Sequence, residues 1–396
     1  MTKKEEAVDV MYNISRDNQD DHADSCFPYD MLDGLANDYA ELYTSYVEPP
    51  LEFFYMSFLT CLGNLLADKI TADSEIKPQP RLYTLLLGES ADDRKSTAIK
   101  KTVSLFKEYI NYIEGAGSAE GLQKELKDKP KLLLCYDEFQ QFVGKATIQS
   151  SVLLPCISTL FENNSYNSPT KYGSVKLENV HLSILSACTK ETFEHVWDSS
   201  FTNIGFNNRL LIIPAAGKRK YSWAKTIPAE EKRKITTQIG TIIGMTQEPI
   251  SMKITDEGFK IYDDWYHALE TSVHTKRIDT YAMRLMPLLA INEMKLEIDK
   301  NIVQKTLMLV NWQLHVRKEY APIDVDNRMA QMEEKIRRVI RKRKNPTLRE
   351  LKQYTNAYKY GIWYFKTAID NLIQEKEIAH NDDKTPKWRI LKDDVE

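Results

Sequence analysis

The chain has 396 residues, 42% of them hydrophobic, with 54 Lys/Arg against 57 Asp/Glu and a net charge of −3. That length suggests two or three domains with an ample core, and the composition is ordinary for a soluble globular protein. The longest apolar run, Phe53 to Ala67, falls short of a membrane span and reads as a buried helix, so no membrane partner is expected.

The start, Met-Thr-Lys-Lys-Glu-Glu, has no apolar core behind it, and no signal peptide is expected. Cys26, Cys61, Cys135, Cys156 and Cys188 are scattered, mostly in apolar runs, without a C-x-x-C; they predict reduced core residues and a cytoplasmic protein. The seven histidines show no metal-ligand spacing. Charge is uneven. From Arg328 onward 17 Lys/Arg meet 11 Asp/Glu, a balance of +6 that leaves −9 on the remainder. A basic end on an acidic body suggests nucleic acid as a partner; the plain alternative is a solvated helix face.

Residues 1–25 are polar and acidic and predict a disordered tail. Residues 26–80 form a helical lead-in. Leu32, Leu35, Tyr39, Leu42 and Tyr43 make one stripe, Pro49-Pro50 breaks it, Leu51 to Ile70 predicts a more buried helix, and Lys77-Pro-Gln-Pro80 is a linker.

Arg81-Leu-Tyr-Thr-Leu-Leu-Leu-Gly88 is a β-prone run. After a small polar turn, Arg94-Lys95-Ser96-Thr97 opens an amphipathic run, with the helix predicted from Thr97 to Ile113. Strand, loop and helix in that order are the context of a phosphate-binding loop. The N–H groups at the helix start face an anion, Lys95 supplies a point charge for the β- and γ-phosphates, and the Ser96 hydroxyl is placed to hold Mg²⁺. Against the pattern G-x-x-x-x-G-K-[ST], Gly88 lies one residue too far from Lys95, and Arg94 replaces the second glycine.

A short charged helix, Ala119 to Lys127, precedes Lys131-Leu-Leu-Leu-Cys-Tyr-Asp137-Glu138, an apolar run ending in two carboxylates. Beside a phosphate loop this is the Walker B arrangement, with Asp137 in the Mg²⁺ shell and Glu138 deprotonating the attacking water. The plain alternative is that the two acids cap the next helix. Gln140 to Lys145 and Ser150 to Phe161 look helical. The turn-rich stretch around Lys171-Tyr172-Gly173 predicts a β-hairpin, with Lys176 on its second arm. It is either an ordinary surface hairpin or a loop that touches DNA phosphates and bases.

His181 to Thr189 predicts a third buried strand, whose Ser186 or Thr189 could sense a γ-phosphate. Gly205-Phe-Asn-Asn-Arg209 places an arginine at the entry to another strand, which closes a core over 81–222. Residues 223–325 predict an all-helical lid, with helices over Thr226 to Gln247, Gly258 to Thr271, Lys276 to Met294 and Asn301 to Tyr320. Residues 328–396 predict a winged helix-turn-helix: Met332 to Lys344, Leu348 to Tyr354 and Lys359 to Gln374 as helices, then a hairpin. Lys359 and Lys366 stand on its predicted recognition helix. Winged helices also dock proteins.

With these pieces placed, residues 27–320 resemble the P-loop helicase-like domain of phage, plasmid and mobile-element replication proteins, long catalogued as a domain of unknown function. The resemblance is carried by Arg94-Lys95-Ser96-Thr97, Tyr136-Asp137-Glu138, Leu177-Glu-Asn-Val-His-Leu-Ser-Ile-Leu, Gly205-Phe-Asn-Asn-Arg209-Leu and the Phe27-Pro28 lead-in. A more distant likeness is to minichromosome-maintenance-type AAA+ helicases. It implies an arginine finger at Arg209, paired lid arginines at Arg277 and Arg284, a DNA-touching hairpin at Lys171 and a C-terminal winged helix. The sensor strand lacks the asparagine expected there.

The expectation is therefore an α/β P-loop NTPase core, AAA+-like, with helical lead-in, lid and winged helix. It would bind ATP and Mg²⁺ and act on DNA as a homohexameric ring, alongside other replication proteins such as a primase or initiator. Glu138, Arg209 and Arg277 would be catalytic. Gly88, Arg94, Lys95, Ser96, Thr97, Asp137 and Thr189 would hold the nucleotide, with Ser96 and Asp137 at the metal. Lys171, Tyr172, Lys176, Lys359 and Lys366 would contact DNA. The alternatives are an ATP-dependent initiator or regulatory switch that does not unwind, and a P-loop scaffold for protein partners. The order of the strands, which separates AAA+ from RecA-like cores, is not readable from the sequence.

Overall fold

The computed structural model describes residues 26–89, 93–148, 151–170, 173–196, 205–320, 328–343, 345–381 and 386–391. The chain divides into two compact units, Met1–Ala321 and Pro322–Glu396. Among the described residues no helix is long and apolar enough to cross a membrane.

The first unit is built on a parallel five-stranded sheet of β2 (Tyr83–Gly88), β3 (Tyr112–Glu114), β4 (Lys131–Tyr136), β7 (His181–Thr189) and β8 (Leu211–Pro214). The strands lie in the order β3-β4-β7-β2-β8. All six residues of β2 are buried, which is why its sequence is a continuous apolar run rather than an alternating one. Successive side chains serve two helical layers. The Tyr83 hydroxyl donates to the Ile157 carbonyl at 3.0 Å on α6 (Leu153–Glu162). Thr84 Oγ1 meets Thr60 Oγ1 at 2.7 Å on α2 (Leu51–Leu65).

Parallel neighbours require crossover connections, and helices supply them. The chain leaves β2 into α3 (Lys95–Phe106), which packs on α2 and meets α1 (Gly34–Thr44) where the Tyr39 and Thr102 hydroxyls lie 2.8 Å apart. Phe58 is the hub of that layer, with ring centroids 5.1 Å from Tyr39 and 5.0 Å from Phe106. The chain passes from β3 to β4 through α4 (Ala119–Asp128). It leaves β4 and β7 into α5 (Phe139–Ala146), α6 and α7 (Lys190–Val196), which pack on one another and on β7. β5 (Tyr166–Thr170) and β6 (Gly173–Leu177) form the antiparallel hairpin, and its tip, Lys171-Tyr172, lies outside the described residues.

Helices α8 (Ala229–Met245), α9 (Asp256–Ala268), α10 (Ile278–Asn292) and α11 (Lys300–Glu319) follow the sheet. They interlock with the N-terminal helices rather than standing apart. β1 (Ile70–Ala72) pairs in parallel with β9 (Ile250–Met252). Asn292 accepts from the Ala36 N–H at 2.7 Å and donates to the Asp33 carbonyl at 2.8 Å. On α11, Gln313 imitates a neighbouring strand. It accepts from Ile212 N–H at 3.2 Å and donates to the Ile212 carbonyl at 2.7 Å, satisfying the edge of β8.

Two local expectations are corrected. The helix predicted from Thr97 to Ile113 runs instead over Lys95–Phe106, because Tyr112–Glu114 leaves it to pair with β4 as the sheet edge. Ile70 is not helical but begins β1.

The second unit has α12 (Arg328–Arg343), α13 (Leu348–Tyr354), α14 (Ala357–Tyr360), α15 (Ile362–Gln374) and an antiparallel pair, β10 (Ile378–His380) with β11 (Trp388–Ile390). Thr347 and Glu350 form a reciprocal capping box at the start of α13. The core gathers Met332, Ile336, Ile340, Leu351, Phe365 and Leu372. The single helix predicted over Lys359 to Gln374 is two. Gly361 separates them at φ 108°, a conformation open only to glycine, while the apolar spacing continues across the break.

Candidate active site at the ends of three parallel strands

Register brings the predicted residues together. Gly88 lies beside Thr189, and Tyr136 beside Ser186, so the carboxyl ends of β2, β7 and β4 open on one edge. Ligands of open parallel sheets bind outside such ends, where neighbouring strands send their connections to opposite faces.

Lys95 begins α3 and is 8% exposed. Its Nζ donates to the Gly88 carbonyl at 3.1 Å and to the Glu89 carbonyl at 2.6 Å, closing the loop on itself. Burial lowers its pKa, and the charges of Asp93, Glu138 and Glu89 oppose that shift. Ser96 and Thr97 are half-buried in the first turn of the same helix.

Arg94 replaces a glycine in sequence but not in conformation. Its backbone sits at φ 49°, ψ 33°, the left-handed region, at a cost of about 1–2 kcal/mol for an L-residue. Its guanidinium turns to Glu48, with Nε and NH2 each 3.2 Å from Oε2. Glu48 also accepts from the N–H groups of Lys220 at 3.1 Å and Tyr221 at 3.2 Å. Those N–H bonds, Tyr221 first, hold its carboxyl below the usual range.

Asp93, which the motif reading passed over, is 2% exposed and accepts from the N–H groups of Glu89 and Gly217. The available signal was chemical: an acid is out of place in a loop expected to hold phosphate, unless it satisfies the loop's own amides.

Asp137 is in an ion pair with Lys100 of α3 at 2.9 Å, which raises the Lys100 pKa and ties the middle of α3 to the end of β4. Glu138 is the N-cap residue of α5, yet its side chain makes no capping bond, and it is exposed. The plain capping role is not what the carboxylate does. Between the two motifs Cys188 is buried, and its thiol is pushed up to about 12 by burial and then by Glu138.

The sensor candidates separate. Ser186 is fully buried within the sheet and donates to the Thr84 carbonyl at 3.3 Å. Thr189 stands at the strand end beside Gly88, where its Oγ1 accepts from Thr192 N–H at 3.1 Å and caps α7. As for a metal, no group of three or more His, Cys, Asp or Glu is clustered for one among the described residues. Mg²⁺ takes few protein ligands and completes its shell with water and substrate phosphates; of the expected pair, Ser96 lies in the first turn of α3, and the Asp137 carboxylate is taken by Lys100.

Arg209 and Arg277 do not join this edge. Leu211 pairs with Thr84, so Arg209 lies level with the start of β2, a strand length of about 20 Å from Gly88. There Glu162, the last residue of α6, sits between them: its Oε1 is 2.6 Å from Arg277 Nε and 3.5 Å from Arg209 NH2. Arg277 and Arg284 are not both within one lid helix as expected. Arg277 is the N-cap of α10 at φ 62°, whereas Arg284 is buried inside α10. Arg284 donates to the carbonyls of Arg81 and Phe161 and stacks 3.9 Å from the Phe161 ring.

Of the predicted DNA contacts, Lys171 and Tyr172 lie outside the described residues. Lys176 pairs with Glu178 on the surface, Lys359 falls in α14, and Lys366 is exposed on α15. No family model matches the chain and no curated protein matches it, so the residues and their geometry alone carry its function.

Proposed function

We propose that the first unit is a P-loop ATPase, AAA+-like, with α8 to α11 as its lid. In the same proposal the second unit is a winged helix, and the whole is an ATP-driven DNA helicase or translocase of a phage, plasmid or mobile-element replication system. The observation that carries this reading is the meeting of Lys95, Glu138 and the Gly88–Thr189 pair at one sheet edge.

In this reading a triphosphate lies against the start of α3, where N–H groups and Lys95 meet its negative charge. Lys95 gives up the carbonyls of Gly88 and Glu89 for phosphate oxygens, and Asp93 releases the Glu89 N–H. Mg²⁺, when bound, would neutralise phosphate charge, with Ser96 and Asp137 as its protein ligands. Glu138 is exposed beside Cys188 and takes the proton of the attacking water.

Arg209 and Arg277 stand a strand length from this site, far beyond side-chain reach of a phosphate in their own subunit. In this reading they serve a nucleotide held by another copy of the chain, as in a ring. The basic second unit, with Lys366 on the exposed face of α15, supports DNA as the substrate.

The deciding experiment is ATP hydrolysis with and without single-stranded DNA, with Glu138→Gln as the blank. Strong stimulation that the mutation abolishes supports the motor. A low, flat rate with intact ATP binding replaces it with an assembly switch that binds duplex DNA without unwinding.

A further inference from the structure

We propose that Glu162 is an intramolecular stand-in for phosphate: it holds Arg209 and Arg277 as a preformed anion site until a phosphate carried by a second copy of the chain displaces it. The inference rests on the reading that these arginines serve a neighbour's nucleotide, and it adds how the site is kept closed before assembly.

The carboxylate is in a poor place by itself. Glu162 ends α6, where the helix presents carbonyls and the dipole disfavours an anion. What holds it there is the guanidinium pair, at 2.6 and 3.5 Å from the same oxygen. The pair is itself fixed. Arg209 NH1 donates to the Gly205 carbonyl at 2.7 Å, and its own carbonyl accepts from the Tyr281 hydroxyl at 2.6 Å. Arg317 binds the carbonyls of His274 and Lys276, at 2.9 and 3.0 Å, immediately before Arg277. The most exposed member is the glutamate, at 36%, while Arg209 is 8% and Arg277 29% exposed.

Cationic side chains also crowd this end of the sheet. Two guanidiniums share one carboxylate oxygen, and burial followed by the charge of Arg277 lowers the Arg209 pKa. Behind them lie Arg81 and Arg284, both fully buried and bonded to main-chain carbonyls. A phosphate brings more than one negative charge and several oxygens in the geometry that paired guanidiniums bind best. It therefore outcompetes a single carboxylate once a second subunit presents it.

The test uses the full chain carrying Lys95→Met, so that its own loop is silent, and titrates inorganic tripolyphosphate by calorimetry. Adding Glu162→Gln, which keeps the side chain's size and removes its charge, is expected to tighten binding about tenfold or more, and adding Arg209→Ala to that variant is expected to abolish the gain. In the otherwise unmutated chain, Glu162→Gln is expected to move ATP hydrolysis to several-fold lower protein concentration. Unchanged or weaker polyphosphate binding in the glutamine variant overturns the stand-in role whatever Arg209 does. Full hydrolysis by Arg209→Ala alone overturns the neighbour-nucleotide reading instead. If Glu162→Gln unfolds, Glu162→Asp, too short to span both arginines, is expected to tighten binding in the same direction by less.

Discussion

Asp93 occupies the space that a side chain on residue 88 would need: an ideal Cβ built on Gly88 falls 2.5 Å from Asp93 Oδ2 and 3.0 Å from its Cβ. The glycine is thus required by a carboxylate, not by its own dihedral angle. Gly88→Ala is expected to push Asp93 off the Glu89 and Gly217 N–H groups. Denaturant unfolding should show a loss of about 1–3 kcal/mol. Binding of a fluorescent ATP analogue should weaken in the same variant, and unaltered binding would detach the loop from nucleotide.

Lys95 and Glu138 should separate binding from chemistry. Lys95→Met removes a charged donor that the loop now satisfies with two carbonyls. It is expected to weaken ATP binding roughly 10- to 100-fold, the worth of a charged hydrogen bond. Glu138→Gln is expected to leave binding near the parent value and to slow hydrolysis about 10²- to 10⁴-fold. Equal effects of the two changes on affinity would count against the assigned roles.

The arginines fall into two groups that stability measurements should tell apart. Arg284 is fully buried, stacked on Phe161 and bonded to two main-chain carbonyls. Arg284→Ala is expected to cost about 3–5 kcal/mol. Arg277, at the surface, is expected to cost within about 1 kcal/mol on changing to Ala, yet to lower hydrolysis in the assembled state. A large loss of stability with Arg277→Ala would make it structural as well.

His181 gives the fold a pH dependence. It is 2% exposed, and its Nε2 lies 3.3 Å from Asn179 Oδ1. Burial lowers its pKa to about 4, with Arg81 adding to the shift, Asp68 opposing it and Lys131 reinforcing it. The unfolded chain therefore takes up this proton first as pH falls from about 6.5 toward 4. Its contribution is a loss of stability across that window, of at most about 3 kcal/mol, and none above it. His181→Leu should flatten the stability profile between those limits, and an unchanged slope would place the acid sensitivity elsewhere.

Much of this was legible because both motifs sit on strands buried on both faces. β2 and β4 each carry three successive leucines and end abruptly in Gly88 and in Asp137-Glu138. The second unit was legible from its punctuation: Asn345 at φ 64° and the Thr347 cap mark the turn that Asn-Pro-Thr announces. What escaped the sequence was set by partners far along the chain. Ile70–Ala72 becomes a strand only because Ile250–Met252 lies beside it. The choice between Ser186 and Thr189 depends on register, which no local pattern encodes. Asp93 and Glu162 escaped because each acts against the expected charge of its surroundings, binding amides or guanidiniums that a motif search assigns to phosphate.

Arg94 has one further consequence. A glycine in its left-handed backbone would let the loop swing freely, but the arginine is anchored to Glu48, immediately before Pro49-Pro50, and Glu48 in turn grips the amides of Lys220 and Tyr221. Any displacement of the loop at residues 93–95 is therefore geared to two other parts of the unit, the elbow between α1 and α2 and the chain leaving β8. A shift at the start of α3 would arrive at both as a pull on one carboxylate.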